Sequence, residues 1–150
     1  VKLVRPGPDD LQDMHGIYRS VWPNESDRVT GLVRDMLRLD PRGVDAVVAY
    51  VGEAPVSAGW SSYRPGSPFV GLWGGATIPS ARRQGTYRAV VAERLAEALR
   101  RGRRYAYVDA APTSAPILMQ LGFTRLARTT PCVMRMSGPS VPGATAEALT

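Results

Sequence analysis

Apolar residues in the first third of the chain recur with the period of an α-helix. They are spaced by three and four over residues 11–21 and again over 29–39, which predicts two amphipathic helices. Asp9 or Asp10 is the expected N-cap of the first helix, and the second is expected to begin near Ser26. Because the two helices are consecutive, we expect them to pack as antiparallel neighbours.

The pattern then changes to that of β-strands. Three segments rich in β-forming residues, DAVVAYV, VSAGWSSY and FVGLWGGATI, are separated by the turn-forming runs GEAP and RPGSP. Turns this short predict an antiparallel meander. The third strand contains Gly71, Gly74 and Gly75, and glycines inside a strand mark a bulge or the close approach of a ligand, or else only make room for Trp60 or Trp73.

The second half of the chain returns to helices. Tyr87, Val91, Leu95 and Leu99 lie four apart, with Val90, Arg94 and Ala98 on the adjacent stripe, which predicts a helix capped by Gly102. RYAYVDA (104–110) is expected to be a buried strand, 112–122 a short helix opened by Thr113 or Ser114, and 123–136 one or two closing strands.

Together with a short strand over Lys2–Arg5, these elements predict an α/β (α+β) domain. Its sheet is expected to be mixed and mostly antiparallel, flanked by helices, with the element order β-α-α-β-β-β-α-β-α-β(β). The domain is expected to occupy residues 1–136. Residues 137–150 are rich in small residues with little to bury, and we expect them to form a flexible tail.

The composition indicates one globular domain. A chain of 150 residues, 44% hydrophobic and 21% charged, is long enough for one core and too short for two ordinary domains. Cys132 is the single cysteine, so an intrachain disulfide is excluded. No run approaches the ~18 apolar residues that cross a bilayer, and no secretory signal is visible, so we expect a cytoplasmic protein. The start at Val1 rather than Met is compatible with a piece of a longer chain.

The net charge of +6 comes almost entirely from arginine, since Lys2 is the only lysine. Such a surplus reflects a GC-rich genome as readily as a nucleic-acid surface. Eight of the eighteen arginines nevertheless fall between Arg82 and Arg104, which predicts an anionic ligand there. Glu93 and Glu97 interrupt this basic segment and no stacking aromatics are interleaved with it, so a nucleic-acid-binding module is the less favoured alternative.

The joint between the third meander strand and the following helix is the expected anion site. A glycine-containing loop that leads directly into a helix presents free backbone N–H groups and the positive end of the helix dipole. Arg82, Arg83 and Arg88 crowd the same turn and add charge-assisted donors. This combination predicts a site for a pyrophosphate.

The same residues resemble the signature of the GNAT superfamily of acyl-CoA-dependent N-acyltransferases, Q/R-x-x-G-x-G/A. The segment Arg82-Arg83-Gln84-Gly85-Thr86-Tyr87 matches the first and fourth positions and departs at the last, where Tyr87 replaces Gly or Ala. Further on, APILMQLGF is similar to the family's A-x-x-L-Y-x-x-x-G-F element. The resemblance covers the element order from Lys2 to Met136.

This resemblance implies acetyl-CoA as cosubstrate, with no metal, and transfer of an acetyl group to a primary amine. The signature segment and Arg88 would bind the pyrophosphate, and backbone of the preceding strand would bind the pantetheine: Leu72, Gly74, Ala76, Thr77 and Ile78. A backbone N–H near Gly74 would hold the oxyanion, a contribution of ~10²–10³ in rate. The amine attacks directly, so Cys132 is not required as a nucleophile.

Two departures from the family concern proton transfer. The tyrosine that often protonates the leaving thiolate corresponds, counting back from Gly122-Phe123, to Leu118. The frequent glutamate base is also absent, because 69–78 contains no ionisable side chain. General acid or base help contributes ~10²–10⁴ in rate, so a catalytically weakened acyl-CoA-binding or regulatory domain is a second hypothesis.

Replacements for both groups are available in the sequence. Ser114 is expected to bond the sulfur or the pantetheine, unless it serves only as an N-cap. Asp109 is the candidate base, acting through water, unless it is a structural carboxylate. Tyr87 would lie across the cofactor or pack under the helix. Tyr50 and Tyr63 on the meander are weaker candidates.

The acceptor is expected to be a small-molecule or peptide amine. The first two helices usually wall the acceptor site in this family, which brings in His15, and Glu25 with Asp27 between the helices would attract a cationic acceptor. A homodimer is compatible with the resemblance, and no membrane association is expected.

Overall fold

The computed structural model describes residues 1–130. Within that range the elements are, in chain order, β1 (Lys2–Val4), α1 (Gln12–Val21), α2 (Ser26–Leu39), β2 (Val44–Val51), β3 (Ala54–Tyr63), β4 (Phe69–Thr77), a 3₁₀ turn (Pro79–Ala81), α3 (Thr86–Arg100), β5 (Tyr105–Tyr107) and α4 (Ala115–Gln120). The order expected from the sequence is confirmed as far as α4.

The described strands form one mixed sheet in the order β1-β2-β3-β4-β5. The pairs from β1 to β4 are antiparallel, and β4 pairs with β5 in parallel. Antiparallel neighbours joined by short turns and one parallel strand reached through a helix are what the turn lengths predict. The expected fold class, a mostly antiparallel mixed sheet flanked by helices, is therefore confirmed.

Two apolar cores lie on opposite faces of this sheet. On one face, α1 and α2 bury residues such as Met14, Tyr18 and Val33 against alternate positions of β2 and β3. On the other face, Val91 of α3 and Leu118 of α4 pack against β4. The alternation of inward positions along each strand gives both helical layers an apolar surface to cover.

The helix ends depart slightly from expectation. The N-cap of α1 is Leu11 rather than Asp9 or Asp10, because the Leu11 side chain is drawn into the core while Asp9 pairs with Arg38 at 2.5 Å. At the end of α3 the prediction holds. Gly102 adopts a left-handed conformation, φ +71°, and Arg103 N donates to the Ala98 carbonyl at 2.8 Å, as in a Schellman cap.

The end of the described sheet differs more. RYAYVDA forms a strand only over Tyr105–Tyr107, and both tyrosines are about half exposed, so the prediction of a buried strand over 104–110 was wrong. Its pairing with β4 spans only three residues. Residues 123–130 form no strand, and the rest of the expected closing strands, the domain boundary at 136, Cys132 and the expected tail lie outside the described residues.

The prediction for one stripe of α3 was also wrong. Leu99, expected to be apolar core, is 72% exposed, whereas Arg94 is only 1% exposed. The helix is oriented so that the stripe of Val90, Arg94 and Ala98 faces the sheet. No described helix is long and apolar enough to cross a membrane.

Candidate active site

A β-bulge distorts β4 at the glycines that the sequence singled out. Trp60 of β3 pairs with Trp73, and Ala58 pairs with Ala76, so Gly59 alone opposes both Gly74 and Gly75. Gly74 has φ +56°, a left-handed conformation that side chains disfavour. The bulge predicted from these glycines is confirmed, and it turns the backbone of β4 away from a regular ladder.

A gap opens between β4 and β5 just before this bulge. The parallel pairing runs only from Phe69↔Tyr105 to Gly71↔Tyr107, so Leu72 and the residues after it have no β5 partner. A cavity of about 130 Å³ lies in this gap. Its walls come from five regions of the chain and consist of Trp22, Leu72, Trp73, Gly74, Gly75, Tyr87, Arg94, Val108, Asp109, Ala111, Ser114 and Leu118.

The cavity brings together the residues predicted from the sequence to act on the thioester. Gly74, Asp109 and Ser114, which are far apart in the sequence, all line it, as do Leu72 and Tyr87. The other residues predicted to bind the cofactor do not: Ala76, Thr77, Ile78, Arg82, Arg83, Gln84, Gly85, Thr86 and Arg88. These belong to the end of β4 and to the turn that begins α3.

That turn is compact and positively charged. Two left-handed residues shape it, Arg83 with φ +62° and Gly85 with φ +81°, the latter serving as N-cap of α3. The first N–H groups of an α-helix have no intrahelical acceptor, so this end of α3 retains donors for a ligand. No side chain caps α3. The geometry matches the requirements of an anion site.

The polar side chains of the turn hold it together from within. Arg82 Nε donates to the Thr77 carbonyl at 3.3 Å, and Gln84 Nε2 donates to the Ser80 carbonyl at 2.9 Å. The Thr86 hydroxyl donates to the Ala81 carbonyl at 3.3 Å. Gln84 and Thr86 therefore shape the backbone, and their side chains are already engaged.

Ser114 and Leu118 lie one helical turn apart at the α4 side of the cavity. Ser114 is the N-cap residue of α4, but its hydroxyl donates to the Ala111 carbonyl at 3.1 Å and caps no helical N–H. Leu118 is 2% exposed and belongs to the apolar core on that face. Leu118 occupies the position at which the GNAT superfamily often has a tyrosine, and its buried aliphatic side chain cannot transfer a proton.

Tyr87 both packs and lines the cavity. A Cβ on Gly75 would lie 2.8 Å from Tyr87 Cε2, so the ring rests directly on the bare backbone of the bulge. Burial raises the pKa of Tyr87, opposed by the positive charge of Arg94 and by a contact with the Ser114 side chain. The phenol is therefore neutral at physiological pH, and its hydroxyl can donate a hydrogen bond.

Arg94 lines the cavity but was not predicted from the sequence as a site residue. Its guanidinium reaches from α3 under the bulge, where Nη1 donates to the carbonyls of Trp60 and Trp73 at 3.2 and 3.1 Å. Burial lowers its pKa from the ordinary value, against the favourable influence of Tyr87 and other nearby groups. The signal was present in the sequence: a cation between Val90 and Ala98 on an apolar stripe.

Two buried donors lie directly behind Gly74. The Tyr18 hydroxyl and Trp60 Nε1 have no hydrogen-bond partner among residues 1–130. Burial raises the pKa of Tyr18, opposed by Arg94, so its hydroxyl stays protonated. A Cβ on Gly74 would come within 2.6 Å of the Tyr18 oxygen, which shows how closely α1 approaches the bulge.

His15 of α1 and the two meander tyrosines, Tyr50 and Tyr63, do not line the cavity. His15 contacts Thr30 and lies 3.6 Å from Asp27, so it joins α1 to α2 at the surface. Tyr50 donates to Asp13 at 2.5 Å, and burial raises the pKa of Tyr50 to about 12. Burial likewise raises the pKa of Tyr63 to about 12, and its hydroxyl lies 3.4 Å from Asp45.

Trp22, at the end of α1, was not predicted as a site residue but does line the cavity. Its ring lies 5.3 Å from that of Tyr18, one helical turn earlier. Trp22 therefore forms the wall nearest α1 and α2. Among the described residues, no group of three or more His, Cys, Asp or Glu side chains is placed to hold a metal ion.

No family model and no curated protein matches the sequence. Solved structures do match over nearly the whole chain. The aminoglycoside N-acetyltransferase AAC(6')-Iy, in complex with the bisubstrate analog CoA-S-monomethyl-acetylneamine, has a TM-score of 0.75 and 20% identity, covering 90% of this chain and 98% of that one.

Two further matches come from other organisms. An acetyltransferase from Trypanosoma brucei has a TM-score of 0.71 and 17% identity, over 89% of this chain and 99% of its own. The aminoglycoside 6'-N-acetyltransferase AAC(6')-IG from Acinetobacter haemolyticus has a TM-score of 0.73 and 17% identity, over 91% and 100% of the two chains. The chain therefore has the fold of the GNAT acetyltransferases.

Proposed function

We propose that this chain is an N-acetyltransferase that moves an acetyl group from acetyl-CoA to a primary amine by direct attack. The observation that carries the proposal is the gap between β4 and β5, whose cavity brings Gly74, Asp109 and Ser114 together. Tyr87, in the first turn of α3, also lines this cavity. Such a gap accepts an extended thioester without breaking any other pairing of the sheet. The fold shared with acetyltransferases supports the same conclusion.

Each part of the cofactor has a complementary part of the site. The N-terminal turn of α3 with Arg82, Arg83 and Arg88 would bind the pyrophosphate. The backbone of β4 beyond Gly71, which has no β5 partner, offers donors and acceptors to the amide groups of pantetheine. The thioester would then lie beside Gly74, where a backbone N–H polarises the carbonyl and holds the oxyanion.

Asp109 is the proposed base. It lines the cavity and accepts a hydrogen bond from the Thr129 hydroxyl at 2.7 Å, which orients the carboxylate. An amine of pKa ~10 is mostly protonated at neutral pH, so only a small fraction is able to attack. Attack makes the nitrogen acidic, and Asp109 can then accept its proton through water. Because a carboxylate is a weak base, we expect the rate to keep rising at alkaline pH.

The acceptor is proposed to be a small-molecule or peptide amine that enters from the side of α1 and α2, past Trp22. Aminoglycosides are one class to test, since several proteins of this fold are aminoglycoside acetyltransferases. Glu25 and Asp27 lie at the start of α2 and would attract a cationic acceptor, although Glu25 also pairs with Arg28 at 2.7 Å.

Thiol release from acetyl-CoA in the presence of an amine panel, between pH 7 and 9, tests the proposal. We expect turnover with at least one amine, a rate that rises with pH, and a loss of ~10²–10⁴ in kcat for Asp109→Asn. Asp35→Asn, an exposed carboxylate on α2, is the matched control and should leave the rate unchanged. Cofactor binding without thiol release from any amine would contradict the proposal.

That contrary result would favour the second candidate, a non-enzymatic acyl-CoA-binding domain. The observation behind it is the buried aliphatic Leu118 at the position where a proton donor is frequent. A nucleic-acid-binding role has less support in the structure, because Arg100 and Arg101 pair with Glu97 at 2.8 and 2.7 Å and are not free for phosphates.

A further inference from the structure

Arg94 is the most deeply buried large side chain of the described chain that carries a charge. It is 1% exposed, and its guanidinium rests against the bare backbone of Gly59, where a Cβ would lie 2.8 Å from Cζ. A guanidinium fits at this position only because residue 59 has no side chain. Burying a cation is costly unless hydrogen bonds or an opposite charge compensate.

The compensation from the protein is incomplete. A guanidinium has five N–H donors. Nε donates to the Val90 carbonyl at 3.3 Å, and Nη1 donates to the carbonyls of Trp60 and Trp73. Among residues 1–130, Nη2 has no acceptor. Arg94 also lines the cavity between β4 and β5, and Nη2 carries the two N–H groups that none of these hydrogen bonds uses.

No carboxylate of the described chain neutralises this cation. Asp45, which raises the pKa of Arg94, is itself bridged to Arg5 and makes no ion pair with Arg94. Asp109, on the other side of the cavity, bonds to Thr129. Neutral carbonyls hold the guanidinium in place while its full positive charge acts on the cavity. A site of this kind is complementary to an anion or to a group that becomes one.

We propose that Arg94 binds the sulfur of coenzyme A as it leaves as a thiolate. The inference rests on the proposed acetyl transfer. In that reaction the amine lone pair forms the N–C bond, and the C–S bond then breaks with its electron pair remaining on sulfur. The amine proton leaves through water towards Asp109. Arg94 keeps its own proton throughout and stabilises the new negative charge electrostatically.

The side from which Arg94 projects favours the sulfur over the oxyanion. Arg94 comes from α3, on the face of the sheet that also carries Tyr87 and Leu118. The acceptor enters from the opposite face, past Trp22. The amine attacks the trigonal carbonyl carbon from the acceptor side, and the tetrahedral intermediate then expels the sulfur on the α3 side, beside Arg94. The oxyanion is left to the backbone of the bulge.

This arrangement also explains how Leu118 is compatible with turnover. A thiolate held by a cation need not be protonated before it leaves, so a tyrosine at position 118 is dispensable. An opposite charge nearby lowers the pKa of an acid by about one to three units. The thiol of bound coenzyme A, ordinarily of pKa about 8.5, would then be largely ionised by about pH 8.

The groups that face Arg94 do not produce the same pH dependence. Burial raises the pKa of each nearby phenol, so the three remain neutral near pH 8, and the two carboxylates are not direct partners of the guanidinium. These groups come from α3, α1, β3, β2 and the segment after β5, and are Tyr87, Tyr18, Tyr63, Asp45 and Asp109.

The test compares the affinities of coenzyme A and S-methyl-coenzyme A by calorimetry between pH 6 and 9. The thioether cannot ionise, so the ratio of the two affinities cancels the titration of the phosphates and of the protein. We expect the wild-type ratio to rise about fivefold or more up to the pKa of the free thiol, which is the rise expected when binding lowers the thiol pKa by one unit. Thiolate absorbance in the ultraviolet provides a direct second readout.

The variants separate charge from packing. Arg94→Met should abolish the rise in the ratio, and Arg94→Lys should retain part of it. Arg100→Met, which removes an exposed arginine from the last turn of the same helix, should behave like wild type. If Arg94→Met does not fold, the wild-type measurement still decides. A wild-type ratio independent of pH would overturn the inference, whereas no binding of either ligand would overturn the proposed function.

Discussion

A side chain at position 74 would collide with two residues of the core at once. Its Cβ would lie 2.6 Å from the Tyr18 oxygen and 2.8 Å from Trp60 Nε1, and the backbone there is left-handed. The same residue contributes backbone to the proposed oxyanion site. Glycine at this position therefore serves both the packing of α1 and the chemistry of β4.

We predict that Gly74→Ala lowers the free energy of unfolding by about 1–3 kcal/mol, because the added methyl is both overpacked and strained. It should also lower kcat by at least ~10²-fold, since the bulge must shift. Urea denaturation and thiol release measure the two effects. Gly16→Ala on α1 is the control: nothing lies within 4 Å of its Cβ, and alanine should stabilise the helix by about 0.5–1 kcal/mol. Equal stabilities of Gly74→Ala and wild type would refute the packing argument.

For single residues, the sequence was informative where a residue departs from the helix or strand pattern around it. Glycines inside a strand predicted the bulge, and Ser114 and Asp109 line the same cavity as Gly74. Trp22 and Tyr18 were not expected, because nothing in a helical repeat tells which apolar residue meets another element. Arg94 was visible as a cation on an apolar stripe, yet its meaning depends on Gly59 and on two carbonyls of other strands.

Among the elements, α3 has different roles at its two ends. Its first turn offers free N–H groups beside Arg83 and Arg88, while its last turns carry Glu93 and Glu97 in an ion-pair network with Arg5, Arg100 and Arg101. The first turn thus leaves N–H groups without an intrahelical acceptor, and the last turns pair with Arg5, which directly follows β1.

The first turn yields a prediction about the cofactor. Arg83→Ala with Arg88→Ala should weaken coenzyme A binding by about 10–100-fold, the effect of losing hydrogen bonds to a charged group. Binding of pantetheine, which has no pyrophosphate, should not change. Calorimetry with both ligands measures this. Arg19→Ala on α1 provides a control for the loss of surface charge, and equal losses for both ligands would exclude a pyrophosphate site at this turn.

The last turns yield a prediction about pH. Hydrogen bonding to Arg101 is the largest cause that lowers the pKa of Glu97 below its ordinary value of 4.5. A carboxyl whose pKa is lower in the folded state stabilises the protein above the unfolded pKa and loses that contribution as pH falls through the folded pKa. Glu97→Gln should therefore be less stable than wild type near pH 7, with the difference shrinking below about pH 4.

Chemical denaturation at a series of pH values measures that difference. Glu53→Gln, in the turn between β2 and β3, removes an exposed carboxylate that has no ion pair in the described chain, and its difference from wild type should not depend on pH. A gap between Glu97→Gln and wild type that persists undiminished at low pH would show that the network acts through packing rather than charge.

The elements themselves were largely predictable, because helical and strand periods are local. The exception was RYAYVDA, whose apolar character predicted a long buried strand. Its length in the sheet is set by β4, which turns away at the bulge after only three paired residues. The residues of RYAYVDA do not show where β4 bends away, so the length of the β4–β5 pairing could not be predicted from them.

At the scale of the whole described molecule, residues 1–130, β5 and α4 make few buried contacts with the other elements. The sheet contributes three residue pairs, and α4 contributes chiefly Leu118, while the cavity separates Asp109 and Ser114 from Gly74. A ligand that fills the gap would add contacts to both sides. Regions held by few buried contacts open at a lower free energy than the core.

We therefore predict that coenzyme A slows hydrogen exchange of residues 105–120 much more than that of β2 and β3. Saturating cofactor should also raise the free energy of unfolding by about 2.7 kcal/mol at a hundred times its dissociation constant. Exchange mass spectrometry and thermal denaturation with and without coenzyme A measure these effects. Protection confined to α1 and α2 would place the cofactor elsewhere.

The hydrogen bonds from Arg94 to the carbonyls of Trp60 and Trp73 limit which substitutions this position can accept during evolution. A mutation that replaced Arg94 would remove both hydrogen bonds to the bulge and also the charge beside the proposed leaving group. The variant would therefore lose both stability and activity. Descendants of this chain that stay folded would then tend to keep the charge, even in lineages where the acetylated amine has changed.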